Sequence, residues 1–164
     1  PNNTLCSFGP QFRDMVPNLT DKWYMFTPID LSHDGTQTFQ LIASNMYIIG
    51  SVTVAVQGDS VTVDYTTVYG KYGHVYMKSE YLNFFPDLKS VTTVDPEELG
   101  AGFTFGQTIS IANDLGGDTN VLMFIRNVAT YRNPVKGDDH FLPRYRKTDT
   151  YHRTRRDAML AMMD

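Results

Sequence analysis

Residues 51–69, SVTVAVQGDSVTVDYTTVY, constrain this chain more than any other stretch, because apolar side chains recur at every second position on both sides of a Gly58-Asp59 pair. Period-two alternation marks a strand with one buried face. A glycine at the first central position suits the two-residue turn whose twist matches antiparallel strands, so the stretch predicts a β-hairpin. Pairing across the turn sets Val56 opposite Val61, Val54 opposite Val63 and Val52 opposite Tyr65. A slip of one residue would turn this stripe to water, so the register is strongly specified.

The rest of the chain extends the pattern. After an irregular lead-in over 1–20, which carries Pro1, Pro10 and Pro17, the cluster Trp23-Tyr24-Met25-Phe26 predicts a first strand stopped near Pro28. Extended segments follow at 38–43 and 46–57, with Ser44-Asn45 as a turn or bulge between them. The return strand of the hairpin and a further strand over 74–83 then complete a meander. Asp95-Pro96-Glu97-Glu98 places a capping Asp, a Pro and a Glu three after the cap, and predicts one helical turn. Residues 103–112 and 120–131 predict a second hairpin around a loop at 113–118. Within it, Val121-Leu122-Met123-Phe124-Ile125 is apolar on both faces, which places the last strand centrally. Seven or eight strands at this spacing predict an all-β fold: an antiparallel β-sandwich over 21–131, with a closed barrel as the alternative. Over 132–164 the pattern breaks into a basic C-terminal extension, expected to be partly helical beyond Asp149.

At 164 residues, with 41% hydrophobic and 20% charged, the chain fits one domain whose core needs no staples. Cys6 is the single cysteine, so no intramolecular disulfide can form, and a lone thiol suits a reducing cytosol as well as an exported domain. No run of about 18 apolar residues predicts a transmembrane segment. The sequence opens on Pro1 rather than Met, as a trimmed chain does; removal of an export signal or lipid anchor, and a secreted or cell-envelope location, is the expectation drawn from it, with the cytoplasm as the other location. The net charge of -4 is uneven: residues 1–131 carry 6 Lys+Arg and 13 Asp+Glu, and the final 33 carry 8 and 5. An acidic body disfavours a nucleic-acid partner. Arg144, Arg146, Lys147, Arg153, Arg155 and Arg156 instead offer an assembly tail for the acidic body of the same or a neighbouring copy, and hence a route to a homo-oligomer.

Ser32-His33-Asp34 contains the letters of a hydrolase triad, but triad members converge from separate parts of a fold, and the segment reads as a turn. Asn113, Asp114, Asp118 and Asn120 carry the oxygen ligands a hard cation uses, in a spacing that matches no EF-hand loop. The glycines of 100–106 lack the strand before and helix after that a dinucleotide loop needs. No catalytic residue, cofactor or metal is therefore assigned. The strongest functional lead is aromatic: Tyr65, Tyr69, Tyr72, His74 and Tyr76 set flat rings beside polar groups, as sugar stacking or a protein hot spot requires, against a plainer reading as core packing. These observations favour a non-enzymatic exported or cell-envelope module that binds a protein or a glycan. A hydrolase assembling carboxylates with His33 or His74 is the first alternative, and a structural subunit that assembles through its tail is the second.

Overall fold

The structure is a computed structural model and describes residues 2–11, 23–45, 47–67, 75–91 and 94–130. Its strands are β1 (Asn2–Ser7), β2 (Phe26–Asp30), β3 (Gly35–Ala43), β4 (Tyr47–Gln57), β5 (Ser60–Thr67), β6 (Tyr76–Ser79), β7 (Leu82–Phe85), β8 (Ile109–Ser110), β9 (Asn120–Ile125) and β10 (Asn127–Thr130). Two single-turn helices, α1 (Leu88–Val91) and α2 (Ile111–Asp114), fall after β7 and β8.

The β4–β5 hairpin has the expected register, with Val56 opposite Val61, Val54 opposite Val63 and Val52 opposite Tyr65. Gly58 supplies the positive φ of +61° that its turn demands. Ser44 and Asn45 lie in the connection between Ala43 and Tyr47, which pair across it, and both have positive φ, 52° and 55°, as tight turns between strands often require. The two hairpins are sewn together at one end: Gly58 N donates to Asp34 Oδ1 at 2.8 Å, so the Ser32-His33-Asp34 segment is a turn that caps its neighbour.

These strands belong to a curled seven-stranded antiparallel sheet in the order β6-β10-β1-β3-β4-β5-β8; a second, three-stranded sheet has the order β2-β9-β7. β1 corrects the irregular lead-in, since Asn2–Ser7 pairs on both sides, with β10 and β3. Its polar residues hide the strand from a hydropathy pattern, yet they are satisfied inside: Ser44 Oγ donates to Asn3 Oδ1 at 2.6 Å, and Ser7 Oγ lies 2.7 Å from Thr27 Oγ1. β2 also runs through Pro28 instead of stopping there. Phe26 N donates to Pro10 O and Leu31 N to Thr119 O, so alternate positions face away from β9, and the missing Pro28 N–H falls on that outer side.

The predicted meander ends at β5. The segment 74–83 does not follow β5 in the sheet, because β6 pairs with β10 at the opposite edge while β7 pairs with β9 in the small sheet. β9 and β10 are likewise one stretch that changes sheets at Arg126. The two bends meet, with Tyr81 N donating to Asn127 Oδ1 at 3.0 Å and Arg126 N to Tyr81 O at 3.1 Å. The expected second hairpin is absent for a related reason: β8 is two residues long and pairs with β5, not with β9. Residues 95–98 form a hydrogen-bonded turn rather than a helical one, with Glu98 N donating to Asp95 O.

β9 is central and buried on both faces, as its unbroken apolar run predicts. Val121, Met123 and Ile125 join Val52, Val54, Val61 and Val63 in the main core; Leu122 and Phe124 pack with Phe26, Phe85 and Leu88 in a second cluster. Cys6, Met25 and Ile42 form a third.

Residues 101–106 cross between the sheets as a strap. Leu82 N donates to Ala101 O, Phe103 N to Leu82 O, and Gly106 N to Val63 O, which ties β7 to β5. Gly102 sits at φ +70°, and a Cβ there would lie 2.1 Å from Leu82 O. Only glycine fits so close an approach.

Candidate functional site

The strap carries two aromatic side chains two positions apart, and each meets a ring of the sheet beneath it. Phe105 packs edge-on against Tyr65, centroids 4.9 Å apart, and Phe103 packs edge-on against Phe84 at 5.8 Å. All four are partly buried and lie against the main core.

Tyr65, the first residue of the aromatic lead, is thus engaged within the protein. Its hydroxyl donates to Glu80 Oε1 at 2.8 Å, which links β5 to the bend after β6. Burial, then that hydrogen bond and the Glu80 charge, push its ionisation well above the ordinary tyrosine range. Tyr76 lies apart on β6, at the far edge of the large sheet, with 62% of its surface exposed. Tyr69, Tyr72 and His74 lie outside the described residues, as do Arg144, Arg146, Lys147, Arg153, Arg155 and Arg156 of the tail.

Phe103 and Phe84 border something different. Together with Leu115, Val121, Asp114 and Asp118 they line a cleft of about 170 Å³, whose wall continues along Phe85 and Pro86. Four separate parts of the chain build it. β7 ends at Phe85 because Pro86 follows and Asp87 turns the chain: its Oδ1 accepts from Ser90 N at 2.7 Å and from Ser90 Oγ at 2.8 Å, hydrogen bonds that hold the Asp87 carboxyl below its usual range. Across the cleft, α2 is fixed by the tip of the β4–β5 hairpin. Asp59 Oδ1 accepts from Ala112 N at 2.9 Å and its Oδ2 from Ser110 Oγ, and these bonds, the serine's first, lower the Asp59 carboxyl. Asp114 Oδ2 accepts from Ser110 N at 2.7 Å. Leu115 then folds down into the core, and Gly116 and Gly117, at φ +66° and +80°, turn the chain so that Asp118 also reaches the rim.

The oxygen-rich loop at 113–120 is therefore one wall of this mixed polar and apolar cleft. Asn113 lies on α2, and Asn120 opens β9. Among the described residues no group of three His, Cys, Asp or Glu side chains is placed to share a metal ion. His33 stands exposed in its turn, where Asp30 Oδ1 accepts from Ser32 N at 2.9 Å. Chemically the cleft offers aromatic rings, aliphatic walls and two carboxylates, which suits recognition of a group that is part apolar and part polar.

Sequence reasoning ended a strand at 83, just before Phe84 and Phe85, and began the next at Phe103, and so missed this cleft. The one local signal is Gly-Phe-Thr-Phe-Gly at 102–106, where two aromatics at i and i+2 share one side of a glycine-bounded segment. Comparison with known proteins yields no matching family model, no matching curated protein and no matching solved structure.

Proposed function

We propose that this protein is a non-enzymatic binding module, exported or held at a cell envelope, that docks a protein or glycan through the cleft beside Phe103. The observation that carries the reading is the cleft itself: aromatic and aliphatic walls with two carboxylates at the rim, built on a strap and a capped turn pinned by backbone hydrogen bonds. Rigid support of this kind is what a recognition site needs, because little ordering entropy is then lost on binding. A two-sheet β-sandwich is the scaffold proposed, supported by the main core cluster, to which both sheets contribute.

Phe103→Ala tests it. The variant removes an aromatic wall while leaving the Leu82 backbone bonds in place, so its melting temperature should fall by only a few degrees. On arrays of defined peptides and glycans, the unaltered protein should retain a ligand that the variant binds at least about tenfold more weakly, as loss of a hot-spot aromatic does. Equal binding by both proteins would overturn the reading.

A further inference from the structure

The lining of the cleft says more about its ligand than its shape does. A volume of about 170 Å³ is smaller than the 300–1,000 Å³ typical of small-molecule pockets. That space fits one side chain. The polar groups that the lining side chains present are the carboxylates of Asp114 and Asp118, and the remaining lining side chains are Phe, Pro, Leu and Val. Carboxylates accept hydrogen bonds and donate none, and the apolar side chains do neither. A sugar ring, whose hydroxyls need donors as well as acceptors, would find half of its requirements unmet by these side chains. A guanidinium or ammonium group, which only donates, meets acceptors alone among these side chains, Asp118 and the Asp114 oxygen not bonded to Ser110 N, and its aliphatic stem matches the ring and leucine walls.

Charge points the same way. Among the described residues there are eleven Asp and Glu against three Lys and Arg, and none of the three, Lys78, Lys89 or Arg126, contributes a lining side chain. Arg126 is held elsewhere, over the Tyr81 ring at 4.3 Å.

We infer that the cleft receives a single basic side chain, arginine or lysine, presented by a partner polypeptide. This inference rests on the binding reading above and deepens it, choosing protein over glycan. The partner's aliphatic stem lies between Phe103 and Leu115, and its cationic head meets Asp114 and Asp118.

The test is an amide NMR titration of the full-length protein with three probes: Nα-acetyl-arginine amide, its neutral counterpart Nα-acetyl-norleucine amide, and a methyl glucoside. The arginine probe should shift the amides of Phe103, Leu115 and Asp118 with a millimolar dissociation constant, the scale expected for one side chain. Asp118→Asn should weaken it about tenfold and 0.5 M salt should weaken it severalfold, whereas Asp64→Asn, outside the lining, should change nothing. Norleucine binding as well as arginine would overturn the inference, and so would an unchanged constant in Asp118→Asn. Shifts at the cleft from the glucoside alone would overturn it too, while leaving the binding module standing; absence of any ligand from the peptide and glycan arrays would remove the module itself.

Discussion

Phe105 and Phe103 leave the same strap two positions apart, yet their partners differ in what they still offer. Phe105 meets Tyr65, whose hydroxyl is already spent on Glu80, and the pair closes the space between β5 and the bend after β6. Phe103 meets Phe84, which has no polar atom, and the carboxylates nearby stand at the rim of a cleft instead of bonding across it. Of the residues in the aromatic lead, Tyr65 is thus engaged within the protein, and the unmarked pair borders the cleft. The polar groups beside the second pair keep acceptor capacity: Asp114 has one oxygen on Ser110 N and a second beside the cleft, and Asp118 lines it as well.

The largest expected effect comes from removing what the two pairs share. Gly102→Ala forces a left-handed backbone onto a side chain and drives its Cβ into Leu82 O, so both rings should lose their anchorage. A loss on the order of 3 kcal/mol is expected, which for a chain of this size lowers the melting temperature by roughly 10 °C. A thermal melt checks it, and an unchanged midpoint would show that the strap is not held as described.

A smaller effect separates the closed pair from the open one. Tyr65→Phe keeps the ring contact with Phe105 and deletes only the bond to Glu80, so about 1 kcal/mol should be lost near neutral pH. Because the fold raises the tyrosine's ionisation, the stability it contributes is present below the unfolded value near 10 and is lost as pH rises beyond it. The substitution should therefore flatten the alkaline limb of a pH–stability curve measured by urea unfolding. The acid limb should be untouched. It belongs to carboxyls such as Asp30, Asp59 and Asp87, whose lowered values contribute stability above about 3.9 and lose it as pH falls through their folded values.

The same contrast runs through what was legible beforehand. The β4–β5 hairpin could be read to the residue because both strands stay in one sheet, so a period of two in the sequence is a period of two in the fold. The β6–β7 and β9–β10 stretches change sheets at Tyr81 and Arg126, and alternation within a segment carries no mark of which sheet its next residue joins. β1 escaped because Asn3 and Ser7 are buried by hydrogen bonding to Ser44 and Thr27, residues far off in sequence. The burial of β9 on both faces was legible, since a continuous apolar run leaves a strand no face for water. The cleft was not. Its walls come from 84–86, 103, 114–118 and 121, and no local pattern records that a strap will bring Phe103 over Phe84.

The division between a spent and an unspent aromatic pair is tested most directly by the aromatic ¹H–¹³C NMR spectrum of the protein during titration with Nα-acetyl-arginine amide, since one experiment observes all four rings. The Phe84 and Phe103 ring signals should move together along a single saturating curve while those of Tyr65 and Phe105 stay in place. Movement of Tyr65 and Phe105 with Phe84 and Phe103 unchanged would contradict the account, because the ligand would then be entering the pair described here as closed.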